Sequence, residues 1–203
     1  TDKVLVNYEV RDGLAIITLN DPPANTYTYE MFRQLDAAIL DARMADEAHV
    51  DVADLARSVL DLWAAQSSDE GVALELECVA HVGTVRADES KLRRVLENLV
   101  KNAIDAVGSR PGVVRVTIER PQQGRVRISV ADDGPGVAPD VDVFRLFETT
   151  KPQGTGIGLA VAKQIVLAHG GGIDFANAIP HGAVFSIDLP VEGPPGTGGD
   201  PAR

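Results

Sequence analysis

Four short motifs follow one another in the second half of the chain, and their order constrains the fold more than any other feature. They are ESKLRRVLENLVKNAIDAV (89–107), DDGPG (132–136), FRLFETTK (144–151) and GTGIGL (154–159). The first has the periodicity of an amphipathic helix, the second is a turn directly after a strand, and the last is a glycine loop that opens a helix. Each motif alone could be an ordinary helix, turn or loop, but the set indicates a nucleotide-binding site.

Composition narrows the class of protein. The chain has 203 residues, 44% of them hydrophobic, which suits one large domain or one domain with an appendage. Its net charge of -11 argues against binding to nucleic acid or to an anionic membrane surface, because both require clustered Lys and Arg. No apolar run reaches the roughly 18 residues that a membrane helix needs. The one cysteine, Cys78, is predicted to be a buried free thiol, which favours a reducing, cytoplasmic compartment.

The pattern of apolar residues predicts an α/β two-layer sandwich, in which a mixed, largely antiparallel sheet carries three helices on one face. Strands are predicted over 4–10, 14–19, 72–78, 113–120, 125–131, 173–178 and 183–189. The three helices are predicted over 51–69, 88–108 and 156–169. An earlier helix over 28–44 joins the first two strands in an N-terminal appendage, residues 1–50. The Pro- and Gly-rich segment 191–203 is predicted to be disordered.

Three polar side chains lie on one face of the predicted helix 88–108. Asn98, Asn102 and Asp105 are spaced at i, i+4 and i+7. Asparagine is a poor helix former, because its amide competes for backbone hydrogen bonds, so two of them in mid-helix need a reason. One interpretation is a solvated polar stripe; the other is that amide oxygens face Mg²⁺, a cation that prefers oxygen ligands and shares them with phosphate.

The DDGPG motif has two interpretations as well. Asp, Pro and Gly all favour an ordinary turn. Alternatively, the glycines let the backbone approach a flat base, and one carboxylate accepts a hydrogen bond from an exocyclic amine, which adenine offers on the edge where guanine does not.

The glycine loop before helix 156–169 exposes backbone N–H groups and the positive end of the helix dipole to phosphate. Lys151, just before it, could contact a terminal phosphate or remain solvated. A dinucleotide fingerprint is excluded because position 159 is leucine, and a Walker-type loop is excluded because the Gly-Lys-Ser/Thr ending is absent. The segment HGGG (169–172) is predicted to be a helix C-cap.

The order and spacing of the four motifs resemble the ATP-binding catalytic domain of bacterial sensor histidine kinases, over about residues 50–190. The resemblance implies that Asn102 binds Mg²⁺, that Asp132 reads adenine, and that Gly134 and Gly136 shape the floor of the pocket. It implies an ATP-binding set that comprises Asn98, Asn102, Asp105, Asp132, Gly134, Gly136, Lys151, Gly154, Thr155, Gly156, Ile157, Gly158 and Leu159. Lys151 is also the candidate catalytic residue.

The resemblance implies transfer of the γ-phosphoryl of Mg-ATP to a histidine on another domain, with a response regulator as a further partner. None of the four histidines, His49, His81, His169 and His181, has the flanking residues of a phosphoacceptor. Asn98 stands where the ATP-hydrolysing relatives carry a glutamate that activates water by accepting its proton. An amide cannot accept that proton, so this position favours phosphoryl transfer to a protein over rapid ATP hydrolysis. A second departure is Ala183, where many members have threonine. The alternatives are an ATP-sensing or scaffold module and a serine kinase of the anti-sigma type.

Residues 1–50 resemble the first hairpin and helix of the crotonase (enoyl-CoA hydratase) family, on the stretch DGLAIITLNDPPAN and a helix that ends in DARMADEAHV. The crotonase oxyanion-hole loops do not follow, so no hydratase site is expected. The abrupt change near His49 suggests a natural or engineered fusion. Because the strand pair has free edges and segment 28–44 has an apolar stripe, residues 1–50 are predicted to pair two copies of the chain. The alternative is a monomer in which the hairpin folds back over its own domain.

Overall fold

The computed structural model describes residues 5–11, 14–20, 31, 34, 48–79, 82–139, 141–145 and 156–194. The chain divides into two compact units, one of residues 1–47 with 197–203 and one of residues 48–196. Every described residue of the predicted ATP site belongs to the second unit.

In the first unit, the predicted hairpin is present. Strands β1 (Val6–Arg11) and β2 (Leu14–Leu19) pair antiparallel, with Val6 opposite Leu19 and Arg11 opposite Leu14. Met31, which is fully buried, packs with Leu5 and Val6. Met31 and Gln34 are helical, and the rest of the predicted helix 28–44 lies outside the described residues.

The second unit is built on a five-stranded sheet. Its strands are β4 (Val72–Cys78), β6 (Gly112–Glu119), β7 (Arg125–Asp132), β8 (Gly172–Asn177) and β9 (Ala183–Pro190). The order across the sheet is β4-β6-β7-β9-β8, with β4 parallel to β6 and every other pair antiparallel. This confirms the predicted mixed, mostly antiparallel sheet.

Three helices complete the sandwich: α1 (Val52–Asp69), α2 (Glu89–Val107) and α3 (Gly158–Ala168). Alternate residues of β7, from Val126 to Val130, are buried under them, as is the apolar face of α2. The opposite face of the sheet is polar: Arg115 pairs with Glu75 at 2.9 Å, and Arg127 pairs with Asp188 at 3.0 Å. No helix in the described part of the chain has the length and hydrophobicity needed to cross a bilayer.

A second, small sheet was not predicted. Strands β3 (Ala48–Asp51) and β5 (Thr84–Ala87) pair antiparallel, and Val50 and Val85 are buried between them and the helices. Each strand leads directly into a helix through a capping aspartate. Asp51 caps α1 by accepting from the N–H groups of Ala53 and Asp54, and Asp88 caps α2 by accepting from the N–H of Lys91.

Two further expectations need correction. Cys78 is a free thiol, but it is exposed rather than buried, because it is the last residue of the edge strand β4. The ordered domain also includes residues 191–194, which the sequence assigns to the tail. The N–H of Val191 donates to the carbonyl of Gly124 at 2.9 Å, and the carbonyl of Val191 accepts from the backbone N–H of Arg86 at 2.8 Å. Residues 195–203 lie outside the described residues.

Replacing the α2 cap, Asp88→Ala, is expected to lower the free energy of unfolding by about 2 kcal/mol at neutral pH. Burial raises the pKa of Asp88, but hydrogen bonds from the Lys91 side chain, the Ser90 hydroxyl and the Lys91 backbone outweigh it and lower the pKa from 3.8 to about 2. Because the folded protein favours the ionised carboxyl, this stabilisation is complete above the unfolded value of 3.8 and is lost as pH falls to about 2.

Urea unfolding of Asp88→Ala and of the unsubstituted protein across that pH range would measure the effect. The stability difference should shrink as the solution is acidified. A difference that stayed constant down to pH 2 would show that the carboxylate charge does not stabilise the cap.

Candidate functional site

Asp132 is the last residue of β7. It lies on the side of the sheet that the helices cover, as do the buried residues Val126, Ile128 and Val130, which alternate along the same strand. It is 6% exposed. Its Oδ1 accepts from the N–H of Gly134 at 2.8 Å and from the N–H of Ala183 at 3.3 Å. Two backbone donors from different parts of the chain therefore fix the orientation of this buried carboxylate.

The neighbouring Asp133 has a different part in the structure. Its Oδ2 accepts from the N–H of Val113 at 2.9 Å, and its carbonyl accepts from Arg110 Nη2 at 2.6 Å. Both contacts join the end of β7 to the start of β6. Of the two aspartates in DDGPG, only Asp132 is buried on the helix-covered side.

Glycines allow the loop after Asp132 to pack without gaps. A Cβ on Gly134 would lie 2.5 Å from Asp132 Oδ1 and 2.9 Å from the Cβ of Ala106, in the last turn of α2. Gly136 has φ +79°, and a Cβ there would lie 3.1 Å from the carbonyl of Gly182. The motif glycines thus bring the loop against α2 on one side and against the β8–β9 turn on the other.

The polar stripe of α2 lies between two contacts of that helix. Near its middle, Asn98 Nδ2 donates to the carbonyl of Gly158, the first residue of α3, at 3.4 Å. Near its end, Ala106 lies against Gly134. Asn102 is half-buried one turn from each contact, so it lies on the part of the helix that faces both the DDGPG loop and the start of α3.

Asp105 is on the same stripe but has an ion-pair partner. Its Oδ2 lies 3.0 Å from Lys101 Nζ, one turn earlier on the helix. Asn98 and Asn102 therefore lie on the stretch of α2 between its contact with Gly158 and its contact with the DDGPG loop, whereas Asp105 pairs with Lys101 at the half-exposed edge of the stripe.

At the start of α3, Gly156 has φ +65° and Ile157 is the N-cap. Ile157 has no side chain that can cap the first turn, and it is 37% exposed. Leu159 packs against the core instead. Lys151, Gly154 and Thr155 lie outside the described residues, so their roles stay predictions.

The other end of α3 confirms the predicted helix C-cap. His169 is the C-cap residue, and Gly170 after it has φ +68°. His169 is 1% exposed; its Nε2 accepts from the N–H of Asp88 at 3.1 Å, so Nδ1 carries the proton that is donated to the carbonyl of Ile165 at 2.7 Å. This imidazole is engaged in joining α3 to the start of α2.

Two residues near the site were missed in the sequence. Gly182 has φ +99°, and a Cβ there would lie 1.9 Å from the carbonyl oxygen of Asp132. Asn177, the last residue of β8, hydrogen-bonds the backbone of Val137 at the end of the DDGPG loop. Both contacts depend on where the β8–β9 turn packs, which local sequence patterns do not show. The one signal in the sequence for either residue was that Gly182 directly precedes a predicted strand.

Comparison with known proteins bears on this arrangement. The family described as histidine kinase-, DNA gyrase B-, and HSP90-like ATPase matches residues 87–193. The sensor histidine kinase ZraS of Klebsiella oxytoca is 37% identical over 146 residues, which are 71% of this chain and 31% of ZraS. The chain therefore spans about a third of the length of that curated relative.

Solved structures of histidine kinases are also similar to this chain. The catalytic domain of histidine kinase ThkA is similar with a TM-score of 0.67 and 32% identity, over 72% of this chain and 97% of that domain. ThkA in complex with the response regulator protein TrrA is similar with a TM-score of 0.63 and 25% identity, over 85% of this chain and 53% of ThkA. Full-length ShkA in complex with AMPPNP is similar with a TM-score of 0.66 and 30% identity, over 81% of this chain and 37% of ShkA.

Proposed function

Because this chain belongs to the histidine kinase-, DNA gyrase B- and HSP90-like ATPase family, and its domain is of the histidine kinase type, we propose that residues 48–196 bind Mg-ATP and pass its γ-phosphoryl to a histidine of another domain. The observation that carries the proposal is the buried carboxylate of Asp132, held by two backbone donors beside the asparagine-bearing face of α2.

Asp132 is the residue that would recognise the base. A carboxylate can accept about four hydrogen bonds, so the exocyclic amine of adenine can donate to it in addition to the backbone groups. Guanine presents a carbonyl at the corresponding position, which would meet the carboxylate with like partial charge. A side chain at Gly134 would collide with Asp132 and Ala106, so glycine at this position lets the Asp132 carboxylate keep its place.

Asn102 would hold the magnesium ion. Among the described residues there is no group of three or more His, Cys, Asp or Glu that could hold a metal by itself. A single amide oxygen on α2 would suit an ion that is held mainly by phosphate oxygens and water, which is the usual environment of Mg²⁺ in nucleotide sites. When bound, the ion would neutralise charge on the phosphates. Asn98, whose amide donates to Gly158, would fix α2 against the start of α3.

The transfer step would be direct. The imidazole nitrogen of the acceptor attacks the γ-phosphorus, the bond from phosphorus to the β–γ bridging oxygen breaks, and ADP leaves. The imidazole loses its proton to a base on the acceptor domain. This chain would orient ATP and would discriminate against nucleotides with a nucleobase other than adenine. Lys151 would contact the terminal phosphate. ShkA in complex with AMPPNP supports nucleotide binding, and ThkA in complex with TrrA supports a response regulator as a partner.

Isothermal titration calorimetry with ADP and ATP, followed by incubation with γ-labelled ATP and a histidine acceptor domain, tests the proposal. Binding and an acid-labile phosphorylated acceptor are expected. Binding without transfer to any acceptor would favour the sensing or scaffold alternative, and an acid-stable product would favour the serine kinase. Absence of nucleotide binding at millimolar concentration, in folded protein, would refute all three.

The variant Asn102→Ala is expected to lose about tenfold in ATP affinity when Mg²⁺ is present, because one oxygen ligand is removed. ADP binding in the presence of a chelator should change by less than about twofold, since the base contact does not depend on the ion. Calorimetry under the two conditions separates the effects. Equal losses with and without Mg²⁺ would show that Asn102 supports the fold of the site rather than the ion.

The remaining assignments are proposals about the whole chain. We place the domain in the cytoplasm, where ATP is available. The pairing of two copies through residues 1–50 is a prediction that still needs a measurement. The resemblance of residues 1–50 to crotonases gains no support from the family match or from the relatives named above, and it too stays a prediction.

A further inference from the structure

The side chain of Asn177 makes two hydrogen bonds to one residue of the loop that follows Asp132. Its Oδ1 accepts from the N–H of Val137 at 2.8 Å, and its Nδ2 donates to the carbonyl of Val137 at 2.8 Å. Asn177 is the exposed last residue of β8. Its side-chain amide accepts one hydrogen bond from Val137 and donates one to it, as the backbone of a neighbouring strand would.

Asparagine suits this contact better than similar residues. Its amide carries an acceptor and a donor in one plane, whereas aspartate has no donor and serine has one hydroxyl. Two parallel bonds to a single residue fix both the position and the rotation of the backbone at Val137. Either bond alone would leave the backbone free to turn.

Asn177 is also close to the glycine that precedes Val137. A Cβ on Gly136 would lie 2.9 Å from Asn177 Oδ1. At the other end of the loop, Gly182 lies against the carbonyl of Asp132. The segment from Asp132 to Val137 is therefore held at both ends by residues that flank one turn.

We propose that Asn177 is a positioning residue for base recognition, and this inference rests on the proposed function. Its amide is engaged with Val137, and no contact with the nucleotide is assigned to it. By fixing Val137 it holds the loop so that Gly134 stays against α2 and the Asp132 carboxylate keeps its direction. Loss of the two bonds releases one end of the loop and lowers the preference of the pocket for adenine over guanine.

The variant Asn177→Ala tests this inference. Hydrogen–deuterium exchange in the absence of nucleotide should show faster exchange of the Val137 amide by about tenfold, because its acceptor has been removed. Competition against a fluorescent ADP analogue should show ADP affinity reduced by about tenfold with GDP affinity unchanged, so that the ratio of the two falls. The melting temperature should change little, because an exposed side chain leaves no cavity.

Asp174→Ala is the matched control. Asp174 is exposed on the same strand, and its Oδ1 accepts from the N–H of its own neighbour, Phe175, at 2.8 Å. This variant should leave both the Val137 amide and the ADP-to-GDP ratio unchanged.

The outcomes are distinguishable. Faster exchange at Val137 with an unchanged ADP-to-GDP ratio would overturn the positioning role and leave the proposed function standing. An equal fall in the ratio for Asp174→Ala would also overturn it, because the effect would then belong to the whole strand. If the unsubstituted protein bound no ADP, the proposed function itself would fail, whatever the exchange at Val137.

Discussion

Replacing Asp132 with asparagine is expected to weaken ADP binding by about 10- to 100-fold while the domain stays folded. The amide has the shape of the carboxylate, and its oxygen can still accept from the N–H groups of Gly134 and Ala183. The amide nitrogen then occupies the position of Oδ2 and presents a donor to the exocyclic amine of adenine. An attractive charged contact becomes a meeting of two donors.

Asp133→Asn is the control for this substitution, because it makes the same chemical change one residue later. Asp133 accepts from the N–H of Val113 in the sheet, and an asparagine oxygen can replace it there. Calorimetry should find ADP affinity within about twofold of the unsubstituted protein, with any effect confined to a small decrease in melting temperature. Normal ADP binding by Asp132→Asn, or equal losses in the two variants, would contradict the assignment of the base contact to Asp132.

Features carried by local patterns could be predicted from the sequence. The helix α2 has a regular apolar face, and the DDGPG turn has residues that allow few other conformations, so both lie where expected. The distinction between Asp132 and Asp133 also follows from the alternation of β7, since Asp132 has the parity of the buried Val130.

Features that depend on distant partners could not be predicted. Strands β3 and β5 have four residues each, so their alternation is too short to stand out in the sequence. They form because Ala48–Asp51 pairs with Thr84–Ala87, which lies beyond α1 and β4 in the chain. Cys78 follows the alternation of a half-buried strand, but it ends an edge strand and is exposed. Asn177 looks like any polar residue at a strand end until β8 is placed beside the loop that contains Val137.

The glycine before β9 is expected to tolerate substitution least. Gly182→Ala should lower the free energy of unfolding by about 3–5 kcal/mol, because two costs add. Its φ of +99° is unfavourable for a residue with a Cβ, and that Cβ would lie 1.9 Å from the carbonyl oxygen of Asp132. This oxygen is backbone, so relief requires movement of the end of β7 or of the β8–β9 turn.

Gly124→Ala separates the two costs. Gly124 also has positive φ, +78°, but a Cβ there would meet nothing within 4 Å. This variant should lose only the conformational part, about 1–2 kcal/mol, and should keep its ADP affinity. In urea unfolding, the excess loss in Gly182→Ala measures the contact with Asp132. In Gly182→Ala protein that remains folded, movement of the end of β7 should also weaken ADP binding, because it displaces Asp132, the residue that would hold the adenine base. Equal destabilisation of the two variants would show that the turn yields easily and that Gly182 does not position Asp132.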